Sequence, residues 1–232
     1  MLGTGITERL EENPLRKELI HHPFFKEVRS SAEIDQEKVG IFLGQWWYPL
    51  HYFPHFLSRT IDQLDVLEMK TAIGKILYQE LGEGDPARAH ERIYITTMQD
   101  AGFDEATVSQ APPFEETRQL VQRYKEASAD RLSALGFVYG TEVADLAMVA
   151  GIGNAVRRVS NMQDLPWVDI HILQEPDHVA QVNEAIEPDF SDAEIDQIVA
   201  SAEEMWTLWI NFFNRLRKVM FGREDLPAAV AA

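Results

Sequence analysis

Two imidazoles and a carboxylate fall within eight residues of this chain, in His171-Ile-Leu-Gln-Glu175-Pro-Asp-His178. Each helical residue advances about 100°, so offsets of 0, 4 and 7 put the three side chains in a stripe about 60° wide. Val168, Ile172, Val179 and Val182 border that stripe, which is therefore expected to face inward. Three ionisable groups on one buried face are costly unless something compensates them. A metal ion is such a partner. Imidazole and carboxylate without thiolate suit iron or manganese, and less distinctively zinc.

Further ligands must come from apolar stripes on other helices. Glu142 has Leu135 and Val138 before it and Leu146 and Val149 after it, at helical offsets. Glu80 follows Ile73, Ile76 and Leu77, and His90 precedes Ile93, Tyr94 and Thr97. Glu80 and His90 flank Gly82-Glu-Gly84-Asp-Pro86, a break that lets the chain turn and the two side chains converge. Each residue has an ordinary reading taken singly: a salt-bridged glutamate, a satisfied core histidine, a solvated face. Six such explanations at once are far less economical than one site. Glu80, His90, Glu142, His171, Glu175 and His178 suit two ions bridged by carboxylate. Three carboxylates against two Fe²⁺ leave one net positive charge and open positions for oxygen and substrate.

The elements that must hold these residues are helical almost throughout, with no convincing alternating strand. Helices are expected over about residues 7–19, 35–64, 66–81, 87–101, 114–127, 130–159 and 192–220, with the His171 segment between Pro166 and the last of them. Pro49 and Pro54 should kink the second helix, and Pro176 should interrupt the His171 segment. No internal repeat or linker appears. The reading is one all-α bundle over residues 1–222, followed by a disordered tail over 223–232.

Composition narrows the partners. The 232 residues are 45% hydrophobic, enough for a full core, and carry a net charge of −17 with pI near 4.7. That balance argues against nucleic acid and anionic membrane. No run of 18 apolar residues and no signal peptide is visible, and there is no cysteine. Disulfides, thiolate sites and cysteine nucleophiles are excluded together, and a cytoplasmic protein is expected.

A glutamate and a histidine separated by nine residues around a Gly-x-Gly-Asp-Pro turn, then an isolated inward glutamate, then His-x3-carboxylate-x2-His, resemble the haem-oxygenase-like di-iron oxidases. The likeness runs from His22-Pro23-Phe24 to the last helix. It implies a seven-helix haem-oxygenase-like fold, two Fe ions as cofactor and O₂ as co-substrate, with Glu80, His90, Glu142, His171 and His178 as ligands. Glu175 stands where the family usually has Asp, so either it or Asp177 fills that place. Some members add a carboxylate from the second helix. This chain has none there, and His51 or His55 is the alternative ligand or pocket residue. A reductase as external electron donor and a homodimer are compatible with the resemblance.

The family's reactions include N-oxygenation of amines, oxidative decarboxylation and carbon–carbon scission, so fold alone does not choose. Cysteine-dependent thiamin hydrolysis, found on the same fold, is excluded. A haem-binding alternative would use His21 or His22 as axial ligand and leave the buried carboxylates unpartnered. No flavin or nucleotide motif is visible. The aromatic group around Trp46, Trp47, Tyr48, Tyr52 and Phe53 favours a small nitrogenous substrate, with Trp46, Tyr48, His51, Tyr52 and His55 as candidate substrate contacts. N-oxygenation is the expected reaction. Decarboxylation or carbon–carbon cleavage of an amino or fatty acid, and a non-catalytic metal-binding protein, are the alternatives.

Overall fold

A computed structural model describes residues 5–187 and 190–223. The tail expected from residue 223 lies outside the described residues from 224 onward. Among those described there are helices and no strands. The seven expected helices become eleven α-helical segments and one short 3₁₀ turn. Half of the excess lies near the N-terminus. The helix expected over 7–19 is split into α1 (Ile6–Glu11) and α2 (Pro14–Ile20), because the Asn13 side chain accepts the Leu15 N–H and Pro14 takes the first helical position. His22 and Pro23 start α3 (Pro23–Ser30) in the same way. The unanticipated α7 (Glu105–Ser109) is capped by the Asp104 side chain.

The remaining helices follow the sequence periodicity closely. They are α4 (Gln36–Gln63), α5 (Leu67–Glu80), α6 (His90–Asp100), α8 (Glu115–Ala127), α9 (Arg131–Val159), α10 (Pro166–Ile186) and α11 (Asp192–Phe221). Pro49 and Pro54 lie within α4, which continues past both. Pro176 does not interrupt α10, which runs unbroken through it. The carbonyl that proline deprives of a partner belongs to Ile172, four residues earlier. Both residues are on the solvent side of α10, where water can satisfy that group. The expectation that Ile172 faces inward is corrected with it: the side chain is half exposed, as is Leu146 on α9.

α9 is the central element and packs along α10 and α11. It is long and apolar enough to cross a membrane by length and composition, and most of that stretch is buried in the bundle. Its approach to α11 needs Gly136. A Cβ there would stand 2.4 Å from the Ile198 carbonyl oxygen and 2.6 Å from the Ser201 Cβ. One continuous core joins the helices, with Phe24, Phe42, Trp46, Phe137, Trp206 and Phe213 among its fully packed side chains.

Candidate metal centre

The break after α5 is what brings Glu80 to His90. α5 ends at Glu80, and the chain then passes through Gly82, Glu83 and Gly84, all left-handed (φ +84°, +56° and +92°). The Glu83 N–H returns to the Tyr78 carbonyl at 2.8 Å, closing the helix end. A 3₁₀ turn, Pro86–Arg88, leads to α6, whose first residue is His90. The imidazole Nδ1 stands 3.0 Å from Glu80 Oε1. Neither His90 nitrogen makes an aligned hydrogen bond. Lone pairs that approach without sharing a proton are suited to a common cation.

α10 presents His171, Glu175 and His178 on one buried stripe, whereas Asp177 is exposed. The choice between Glu175 and Asp177 thus falls to Glu175 by placement. His171 Nδ1 donates to the Trp167 carbonyl at 2.7 Å, which leaves Nε2 as its free lone pair. Two buried groups result. Glu80, His90 and His171 offer ligand atoms within 4.8 Å of one another, and so do Glu142, Glu175 and His178. The His90 and His171 rings are 4.6 Å apart, and Glu80 acts electrostatically on His178 across the clusters.

In the second group His178 Nδ1 lies 3.2 Å from Glu142 Oε2. His178 Nε2, Glu142 Oε1 and both Glu175 oxygens have no hydrogen-bond partner. Glu175 and His178 are at most 3% exposed. Polar atoms buried this deeply are normally satisfied, so the orphaned set fits cations held by mixed nitrogen and oxygen donors. His22, the alternative axial ligand for haem, is already used. Its Nδ1 accepts the Phe24 N–H, and its Nε2 meets Asn214 Oδ1 at 3.1 Å.

Two residues here escape a reading of the sequence stripe by stripe. Gln174, buried on α10 between His171 and His178 in sequence, acts on His90. Asp145, three residues after Glu142, reaches Glu175 within hydrogen-bonding distance. Offset 3 on a helix is about 60° from Glu142, little further than the roughly 40° of offset 4, where Leu146 was expected.

Electrostatics differ between the clusters. Burial opposes ionisation of Glu80, but the His90, His171 and His178 imidazoles outweigh it and hold the carboxyl at about 2. Burial and the nearby His90 push His171 down to about 3, so its ring is neutral. Burial also opposes charge on His178, yet Glu142 beside it raises that ring to about 9. Burial together with the Asp145 and Glu142 carboxylates drives Glu175 upward. At pH 7, therefore, His178 carries its extra proton and Glu175 is held toward its neutral form. A cation requires both in their deprotonated forms. Metal loading is expected to release about two protons at this cluster and to weaken as pH falls. Calorimetry in two buffers of different ionisation heat measures the release, and loading without it would contradict the arrangement.

A cavity with about 40 Å³ of free interior opens between the clusters and α4. Glu80, Glu142, Asp145, His171 and His178 line it together with the aromatic rings of Trp46, Phe53, Tyr124, Trp167 and Trp209. Of the candidate substrate contacts, only Trp46 is in this wall. Tyr48 donates its hydroxyl to the Ala111 carbonyl, and exposed His51 pairs with Glu91. Tyr52 is half-buried beside exposed His55. The correction is one of helical phase. Trp46, Pro49, Leu50 and Phe53 share the inner stripe, and positions 48, 51, 52 and 55 lie two residues on, about 200° round the helix. The indole N–H groups of Trp46, Trp167 and Trp209 have no protein acceptor, although that of Trp206 donates to the Gly140 carbonyl at 2.8 Å.

Structural comparison agrees with this architecture. A CADD-like protein of unknown function from Nostoc punctiforme PCC 73102 is 12% identical, with TM-score 0.76 over 93% of this chain and 95% of that one. A TenA homologue from Pseudomonas syringae pv. tomato DC3000 is also 12% identical, with TM-score 0.75 over 92% and 93%. A domain of unknown function with a haem-oxygenase-like fold from Shewanella denitrificans OS217 is 16% identical, with TM-score 0.65 over 96% and 93%. At such identities the likeness establishes the fold. No curated protein matches in sequence. The profile of the family described as iron-containing redox enzymes matches residues 41–210, a stretch that holds all six clustered ligands. With that match over most of its length, the chain belongs to the iron-containing redox enzyme family.

Proposed function

We propose that this protein is an O₂-dependent non-haem di-iron oxidoreductase that oxygenates the nitrogen of a small amine. The observation that carries the reading is the pair of buried His/Glu clusters opening onto one aromatic-walled cavity. Glu80, His90 and His171 would hold one iron, and Glu142, Glu175 and His178 the other. When bound, the iron pair supplies reductive activation of O₂, chemistry that no side chain of the chain provides. The overall balance is amine plus O₂ plus two electrons and two protons, giving hydroxylamine and water. An external donor supplies the electrons.

The residues' own contribution is placement. Trp167, Trp46 and Trp209 form a wall whose ring faces suit a cationic or flat nitrogen compound. Their unpaired indole N–H groups are available to an acceptor atom on the same molecule. The free interior, about 40 Å³, is well below that of ordinary small-molecule sites, which favours a compact substrate over a long acyl chain. The buried walls keep bulk water from the reacting nitrogen.

The test is anaerobic Fe²⁺ loading, exposure to ¹⁸O₂ with a panel of amines, amino acids and fatty acids, and mass spectrometry of products. A product heavier by one ¹⁸O on nitrogen is expected. A product that has lost CO₂ or a carbon fragment would replace N-oxygenation with decarboxylation or carbon–carbon cleavage. Iron binding without O₂ consumption for any compound would point to a metal-binding protein that is not an oxygenase.

A further inference from the structure

We propose that Asp145 is an additional ligand of the second cluster, donating a carboxylate oxygen to the ion held by Glu142, Glu175 and His178. The proposal rests on the two-ion reading above and concerns a residue outside both triads. Its position is set by α9: three residues beyond Glu142, it lies about one turn further along on nearly the same face. Its side chain lines the cavity together with Glu142 and His178.

The decisive feature is what Asp145 faces. Its carboxylate meets that of Glu175, and the Glu142 and Glu80 carboxylates act on both groups. Two facing carboxylates need a cation or a shared proton between them. A cation also accounts for what a shared proton leaves unexplained. With that proton on one Glu175 oxygen, the other Glu175 oxygen, Glu142 Oε1 and His178 Nε2 still stay buried without partners. Asp145 would give the second ion four protein donors, three of them carboxylates. Four carboxylates against two Fe²⁺ make the loaded centre neutral, and the extra anionic oxygen favours the more highly charged oxidation state at that ion.

Asp145→Asn separates this role from a merely positional one. Asparagine keeps the shape and offers Glu175 an N–H donor, so the contact between the side chains survives while the anionic ligand is lost. Wild type and variant would be titrated anaerobically with Fe²⁺ and with Mn²⁺ against a competing chelator. Electron paramagnetic resonance of the Mn²⁺ forms would distinguish paired from single ions. Outer partners of metal ligands are worth about 10–100-fold in affinity, so losing a direct ligand is expected to weaken the second ion by about 100-fold. The first ion should be retained, and the Mn²⁺ spectrum of the variant should show single ions at concentrations that pair them in wild type. The metal-free variant should melt no lower than wild type, because one of two opposed carboxylates is gone. Two ions bound with equal affinity by both proteins would overturn the Asp145 assignment alone. Saturation of the wild type at one ion would overturn the two-ion reading and this assignment with it.

Discussion

His178→Ala is expected to leave one tightly bound iron per chain and to lower turnover by about 10³-fold or more. His178 joins the second cluster through both ring nitrogens: Nδ1 meets Glu142 and Nε2 is unpaired among the ligand atoms. Its loss leaves the Glu142, Glu175 and Asp145 carboxylates without a nitrogen donor, which weakens the site for Fe²⁺. If both ions are needed for O₂ activation, losing one removes several kcal/mol of transition-state stabilisation, and about 4 kcal/mol corresponds to roughly 10³ in rate. His51→Ala is the contrasting case. That ring is exposed, pairs with Glu91 and stacks on Trp47, so iron content and turnover should stay within about twofold. Iron analysis and single-turnover kinetics on both variants check the pair of outcomes. Equal iron content in His178→Ala and wild type would remove His178 from the ligand set.

Gly82→Ala is expected to lower the melting temperature by about 5–15 °C and to weaken iron at the first cluster. Gly82 has φ +84°, and a Cβ there would stand 2.3 Å from the Asp85 carbonyl oxygen and 2.6 Å from the Ala89 nitrogen. The left-handed conformation alone costs an alanine about 1–2 kcal/mol. The clash is with backbone, which cannot rotate away, and adds about 1–3 kcal/mol. In a chain of this size each kcal/mol moves the melting point by about 2–4 °C. Relief of the clash must shift Ala89, the residue next to His90, and so spoils the approach of His90 to Glu80. Gly84→Ala tests the reasoning. Gly84 is also left-handed, yet its nearest neighbour, the Tyr78 hydroxyl, is 3.8 Å away. It should lose only the conformational cost of about 1–2 kcal/mol and leave iron affinity unchanged. Indistinguishable melts and iron affinities for the two variants would show that the close turn is not what aligns Glu80 with His90.

The candidate residues of both clusters were legible in the sequence because helical periodicity is a local property. His171, Glu175 and His178 share a face by arithmetic alone, and Glu80, Glu142 and His90 could be marked as inward by their apolar neighbours at helical offsets. The Gly-x-Gly-Asp-Pro break was legible for the same local reason: only glycine accepts the left-handed turn readily, and proline restarts the chain. Helix ends at Asn13 and Asp104 depend on single side-chain caps, a weaker signal that the periodicity overran.

What the tertiary structure decided was phase and partnership. Periodicity states that α4 has an aromatic inner face but does not say which of two neighbouring stripes meets the site. Packing against α9 and α10 selects Trp46 and Phe53 and turns His51 and His55 to solvent. Likewise, the sequence allowed Leu146 or Asp145 to follow Glu142 inward, since offsets 3 and 4 both lie near one face. Asp145 lines the cavity and meets Glu175 because α9 packs along α10, a relation between residues thirty positions apart that no local pattern encodes. The division of six candidate ligands into two groups of three has the same origin. It depends on where three separate helices cross, which only the packed core fixes.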